Sequence, residues 1–345
     1  MKYIFALLLS LSTLPVNGQS LQRIGFGSCA HQSKPQPIWD KVLVEKPDLF
    51  IFLGDNIYGD SDNVEQLADK YQQLADKPGF QQLRQTTPIL SIWDDHDYGQ
   101  NDSGNEYIAK DASRKLMLDF WQVPANSPRR TQAGGIYTAE TYGPPGKRVQ
   151  IILLDLRWNR TALAEVDNPE QQALRKQEQR GPYLINYDPA AVLIGKEQWQ
   201  WLEQQLQQPA DLRIIGSSIQ FLADFTGWES WANFPHERER MIELIQRYQQ
   251  QPILFISGDV HWAELSEIRT TGSRWPLVEL TSSGLTEEWK QISPNIHRVG
   301  KAYAEANFGL LTIDWQTPNQ GPAINMAIKN TAGQTLIDAD YSLNK

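Results

Sequence analysis

Short apolar runs recur along the chain, separated by stretches in which apolar residues return every three or four positions. The runs are Arg23 to Phe26, Leu49 to Leu53, Ile89 to Trp93, Val149 to Leu154, Arg213 to Gly216, Ile253 to Ser257, Leu277 to Leu280 and Leu310 to Trp315. Their brevity and continuity predict strands buried on both faces of a sheet. The intervening periodicity predicts amphipathic helices over Val64 to Ala75, Lys110 to Phe120, Lys196 to Gln207 and Glu237 to Gln250, with Asp62 or Asn63 and Pro235 as start signals.

Strand–helix alternation implies a layered α/β sheet. The C-terminal third instead runs strand after strand from Leu277, Leu310, Ala323 and Thr335, which predicts a second, more antiparallel sheet packed on the first. The chain has no low-complexity tract, heptad pattern, internal repeat or Pro- or Ser-rich linker, so one domain is expected from Gln19 to Lys345.

Before Gln19, Met1 to Gly18 reads as a secretory signal: Lys2, then apolar Ile4 to Leu11, then the small-residue site Val16-Asn17-Gly18. The apolar run is too short to span a bilayer and no later stretch replaces it, so a periplasmic or secreted protein without a transmembrane anchor is expected. The formal charge is −9, and loss of Lys2 leaves 31 basic against 41 acidic residues, or −10. With no compensating basic block, nucleic acid and anionic lipid surfaces are poor partners. Cys29 is the only cysteine, so no internal disulfide forms; it is either a small buried hydrophobe or a metal-bound thiolate.

Candidate chemistry gathers just beyond the C-terminal ends of four strands, where open α/β sheets place their sites. Gly27-Ser28-Cys29 follows the first, Gly54-Asp55-Asn56-Ile57-Tyr58 the second, Asp94-Asp95-His96-Asp97 the third and Gly258-Asp259-Val260-His261 the sixth. Each alone has an ordinary reading as a turn, a helix cap or a structural histidine. Together they bring thiol, carboxylate, phenol and imidazole groups to one end of a sheet, and such a set is costly to bury without cations.

Gly54-Asp55-x-x-Tyr58 resembles the GDxxY of purple acid phosphatases. Phe26-Gly27-Ser28-Cys29, Trp93-Asp94-Asp95-His96-Asp97 and Gly258-Asp259-Val260-His261 resemble the corresponding motifs of the alkaline phosphatase D (PhoD-like) family of metallophosphoesterases. The likeness runs from about Ile24 to Trp315 and includes Leu154-Asp155-Leu156-Arg157 and Asn307-Phe308-Gly309. It implies a four-layer α/β/β/α sandwich with two mixed sheets, alkaline phosphomonoesterase and phosphodiesterase activity, and a dinuclear or polynuclear centre of Fe3+ with Ca2+. The extra N-terminal β-domain of larger bacterial members is expected to be absent.

Mapped onto this chain, the resemblance makes Asp55 the carboxylate bridging two metals, with Cys29, Tyr58 and His261 completing the first site. Thiolate and phenolate donors suit iron better than magnesium. Asp95 and Asp259 stand where commoner motifs carry asparagine and histidine, making the second site hard and anionic; Asp94 is an alternative ligand. That set favours calcium, magnesium or manganese over zinc; the resemblance points to Ca2+ and leaves Mg2+, Mn2+ and Zn2+ open. His96 is expected near the leaving-group oxygen. Arg157 is either a fork for phosphate oxygens or a salt-bridge partner of Asp155, and Trp228, Trp231 and Trp262 are candidate walls of a cleft.

The expected activity is hydrolysis of small phosphate mono- or diesters by a monomer, with no phosphoenzyme. The same site could serve a phospholipase- or nuclease-type phosphodiesterase. A non-catalytic phosphate- or metal-binding periplasmic module is the reading from another class.

Overall fold

The computed structural model describes residues 18–269, 275–315 and 321–341. The expected secretory signal, apart from Gly18, lies outside these residues. Among the described residues no helix is long and apolar enough to cross a membrane.

Two six-stranded mixed sheets form the centre. The first has the order β12-β11-β10-β1-β2-β3, where β1 is Arg23–Gly27, β2 Leu49–Leu53, β3 Ile89–Ile92, β10 Asn307–Asp314, β11 Ala323–Asn330 and β12 Thr335–Tyr341. The second has the order β4-β5-β6-β7-β9-β8, where β4 is Thr138–Tyr142, β5 Val149–Leu153, β6 Leu212–Ser217, β7 Ile253–Ser257, β8 Ala263–Ile268 and β9 Leu277–Ser282. β1, β2 and β3 run parallel, as do β5, β6, β7 and β9.

The C-terminal strands do not make a second sheet, which corrects the expectation. β9 pairs in parallel with β7, while β10 pairs antiparallel with β1 and carries β11 and β12 onto the first sheet. Chain order is a poor guide here because the β10–β1 pairing joins residues nearly three hundred positions apart, such as Arg23 and Thr312.

Side-chain alternation along β2 shows how the layers are built. Ile51 and Leu53 point into the core between the sheets, with Ile24 of β1 and Ile151, Ile214 and Ile256 of the second sheet. Phe50 and Phe52 point the other way, onto Trp39, Leu67 and Phe80. These last three come from helices α1 (Ile38–Glu45), α2 (Val64–Ala75) and α3 (Pro78–Thr86). Beyond the second sheet, Ile152, Ile215 and Phe255 pack on Trp199 and Leu202 of a helix at Gly195–Leu206 and Met241 of a helix at Pro235–Arg247. The result is the four-layer α/β/β/α sandwich expected. Each of these apolar side chains contributes about 1.5–3 kcal/mol by leaving water, and Phe52→Ala would cost about 3–5 kcal/mol through the cavity left between sheet and helices.

Local signals set the helix starts. Asn63 accepts hydrogen bonds from the Glu65 and Gln66 amides and so caps α2. The helices at Val64–Ala75 and Lys110–Phe120 have the expected bounds, and the other two begin one or two residues earlier and end one to three earlier than the periodicity suggested.

Candidate metal centre

The C-terminal ends of β1, β2, β3 and β7 meet at one end of the sandwich. At the seam between the sheets Gly258 lies against Ser28, so closely that a Cβ on Gly258 would stand 2.2 Å from Ser28 Oγ. The turns that follow these strands are tight. Cys29, Asp55, Asp259 and His261 all have left-handed backbones, with φ of 64°, 49°, 75° and 61°. For non-glycine residues such conformations cost about 1–3 kcal/mol each and collect at functional sites.

Three groups of side chains can each surround a cation: Cys29, Asp55 and His261; Asp55, Asp95 and His96; and Asp94, Asp95 and Asp259. Within each group the ligand atoms lie within 4.8 Å of one another. Asp55 belongs to two groups and Asp95 to two, so the three are contiguous. Cys29 Sγ is 3.4 Å from Asp55 Oδ2 and 3.1 Å from Ser283 Oγ, and Tyr58 Oη is 2.9 Å from His261 Nε2. All six residues expected as ligands therefore converge, together with Asp94 and His96.

The donor set fits metal ions. Asp55 Oδ1, Asp94 Oδ2 and Asp95 Oδ1 are buried with no hydrogen-bond donor, an arrangement that costs free energy unless a cation takes the oxygen. Without a cation, burial makes several of these acids hold their protons more tightly. Burial pushes Cys29 up to about 12. Burial, then the Asp95 and Cys29 charges, holds Asp55 well above the carboxylate range. Burial, then Asp94 and Glu229, does the same to Asp259, while burial, then Cys29, raises the Tyr58 phenol. Burial keeps His261 neutral by lowering it to about 4.

Asp95 and His96 form the polarised pair of the site. Burial would raise the Asp95 carboxyl, but the His96 and Arg157 cations and the Asp102 amide outweigh it and hold Asp95 below its usual range. Burial would lower His96, yet Asp95, Asp55 and Asp60 keep it at about 11. His96 Nδ1 lies 2.7 Å from Asp60 Oδ1 and its Nε2 4.0 Å from Asp95 Oδ2.

Arg157 departs from both sequence expectations. Its side chain is wholly buried and faces carboxylates, so it is no open fork for phosphate. It pairs with Asp94 Oδ1 at 2.5 Å and Glu229 Oε2 at 2.7 Å; of Arg157, Asp155 meets the backbone amide and not the side chain. Glu229 also meets Arg160 Nε at 3.1 Å. Burial raises Asp94 to about 6 against the pull of Arg157.

Two residues were missed as supports. Asp97 accepts from the backbone amides of Asp55, Asn56 and Asp94, tying the turn after β2 to the turn after β3. Its place in Asp94-Asp95-His96-Asp97 was visible, but its partners were not. Glu229 sits in an irregular stretch with no periodic signal. Of the three tryptophans, Trp231 is fully buried and donates to Ser217 Oγ, so it belongs to the core and not to a cleft wall. Trp262 is also buried; Trp228 packs edge-on to Trp289 with ring centroids 5.8 Å apart.

Residues 24–316 match the PhoD-like phosphatases as a family. Alkaline phosphatase D of Bacillus subtilis (strain 168) is 23% identical over 322 residues, covering 79% of this chain and 53% of the relative; the chain spans about half that relative's length. Among solved structures, that of PhoD aligns over 94% of this chain and 73% of its own, with a TM-score of 0.68 and 17% identity. A dimetal phosphatase from Danio rerio aligns over 94% and 100%, with a TM-score of 0.54 and 13% identity. GAP50, the anchor in the inner membrane complex of Plasmodium, aligns over 95% and 90%, with a TM-score of 0.55 and 11% identity. At these identities the structural likeness speaks for the fold alone, but the family match extends over most of the sequence, and the chain belongs to the PhoD-like phosphatase family.

Proposed function

We propose that the protein is an exported, metal-dependent phosphoesterase acting on small phosphate mono- or diesters at alkaline or neutral pH, as a monomer of one domain. The observation that carries this reading is the contiguous set of ligand groups joined through Asp55 and Asp95, with three buried carboxylate oxygens lacking any donor.

Cys29, Tyr58, His261 and Asp55 would hold the first cation, and Asp55, Asp95 and Asp259, with Asp94 beside them, the second. Thiolate and phenolate favour Fe3+ in the first place, and carboxylate oxygens favour Ca2+ in the second. When bound, the ions supply a water acidic enough to attack at neutral pH and positive charge for the phosphoryl oxygens. Asp55, lying between the groups, sets the spacing of the two places. Arg157 and Glu229 hold Asp94 from below and keep the acidic wall in register. His96 carries a proton toward the leaving-group oxygen, with its Nδ1 held 2.7 Å from Asp60 Oδ1. The net charge of −9 argues against a nucleic-acid substrate.

The test is turnover of p-nitrophenyl phosphate, its bis-ester, phosphatidylcholine and DNA by natively purified protein, with elemental analysis and His96→Ala in parallel. The expected result is hydrolysis of the small esters, at least two equivalents of metal, and a fall in kcat of about 10²–10⁴-fold in His96→Ala with the metal retained. Cleavage of lipid or DNA alone, or unchanged turnover in the variant, would contradict the assignment.

A further inference from the structure

The segment Tyr58-Gly59-Asp60, just beyond the turn that carries Asp55, grips His96 in three ways. The Tyr58 ring lies 4.3 Å from the imidazole at an interplanar angle of 35°. The Gly59 amide donates to the His96 carbonyl at 3.0 Å. The Asp60 carboxylate is 2.7 Å from Nδ1.

The backbone is shaped for this grip. A Cβ on Gly59 would stand 2.6 Å from the His96 carbonyl oxygen and 2.3 Å from Leu67 Cδ2, so only glycine lets the segment approach. Asp60 itself is left-handed, with φ of 48°. Its side chain is 45% exposed against 14% for His96. An ion pair that open adds little to folding, so strain and close approach here serve orientation better than stability.

With Nδ1 held by Asp60, Nε2 is the ring nitrogen turned toward the carboxylates, 4.0 Å from Asp95 Oδ2. We infer that Asp60 is a positioning residue: by taking the Nδ1 proton in a hydrogen bond, it makes Nε2 of His96 the atom that meets the leaving-group oxygen. This rests on the reading of His96 as the proton donor. As the attacking water oxygen bonds to phosphorus and gives up a proton to solvent, the bond from phosphorus to the leaving oxygen breaks, and its electron pair stays on that oxygen. The oxygen takes the Nε2 proton. The imidazole is left neutral with Nδ1–H still on Asp60, and regains its Nε2 proton from solvent. A carboxylate on the far nitrogen holds the ring in one orientation through this cycle.

Two variants separate orientation from charge. Asp60→Gly removes the carboxylate at a backbone angle that glycine adopts without strain, and Asp60→Asn keeps an acceptor oxygen in a residue that tolerates the left-handed region. Turnover is compared on ethyl phosphate, whose leaving group needs a proton, and p-nitrophenyl phosphate, whose leaving group needs it far less. Asp60→Gly is expected to lose at least about tenfold more on the ethyl ester than on the aryl ester, and Asp60→Asn to return to within about threefold of the natural protein. In metal-free protein, the low-field NMR signal of a hydrogen-bonded imidazole Nδ1 proton should be present and should vanish in Asp60→Gly. Equal losses on both esters, absence of rescue by asparagine, or an unchanged Nδ1 signal overturns the assignment. His96→Ala is run on the same pair of esters: if it shows no leaving-group dependence, the proton-donor reading fails, and if it does while Asp60→Gly does not, only the role of Asp60 fails.

Discussion

The Tyr58 phenol oxygen and the His261 Nε2 atom stand 2.9 Å apart across 203 residues of chain. One follows β2 of the first sheet and the other β7 of the second, so the contact closes the seam of the sandwich at its C-terminal strand ends. Cys29 and Asp55 complete this corner, and the chemistry of the centre depends on both sheets holding their register.

Because a phenolate bound to Fe3+ absorbs visible light, natively purified protein is expected to be coloured and Tyr58→Phe to be bleached. Burial keeps Cys29 at about 12 and Tyr58 above its ordinary value without a cation, so both are protonated at pH 7 and metal uptake displaces their protons. Affinity should therefore rise with pH. Absorption spectra and calorimetry in buffers of different ionisation enthalpy measure both effects; colourless, iron-free and fully active protein would remove iron from the proposal.

Metal-free protein should be more stable at pH 5.5 than at pH 8. Asp55, Asp259 and Asp94 have folded-state values raised above those of the unfolded chain, Asp94 to about 6. The folded state binds their protons more tightly, so this stability is fully present below the unfolded carboxylate range and is lost as pH rises through the folded values. His96, raised to about 11, acts in the same direction above its unfolded value of 6.5. Asp95, lowered instead, is ionised in both states across this window and contributes no slope, and His261, lowered to about 4, opposes the trend only between pH 5.5 and its unfolded value of 6.5. Metal occupancy should flatten or reverse the trend; thermal melting at both pH values, with and without metal, decides it.

Glu229→Gln should destabilise the fold by about 3–5 kcal/mol, because it leaves the buried Arg157 and Arg160 guanidinium groups without their shared carboxylate. The urea midpoint should fall at unchanged slope. Metal content should fall too, since Arg157 would no longer be shared between Asp94 and Glu229. A loss below about 1 kcal/mol would show that the network is not a structural support.

The strands that carry the centre were legible because they are buried on both faces, which leaves an unbroken apolar run in β2 and β7. β4 and β8 were not, and they are the two edges of the second sheet: Thr138–Tyr142 mixes polar with apolar residues on a partly exposed strand, whereas Ala263–Ile268 buries Glu264 and Ser266 against Gln220, Asn295 and Arg298, partners no local pattern reveals. The helix at Pro169–Gln177 has no buried residue at all, so it has no apolar stripe to betray it. α1 and α3 span only Ile38–Glu45 and Pro78–Thr86, too short for a periodicity to stand out.

Local composition determined much of this protein: which segments are central strands, where tight turns follow them, and which ligand types lie in those turns. It also carried the family's motifs in order. Tertiary structure alone decided that β10–β12 join the first sheet, that Arg157 answers Asp94 and Glu229 instead of Asp155, and that Asp60 meets His96. The physical reason is distance along the chain. Periodicity and turn chemistry report the environment of a residue's near neighbours, whereas pairing across tens or hundreds of residues is selected by the packing of whole layers, which no local window contains.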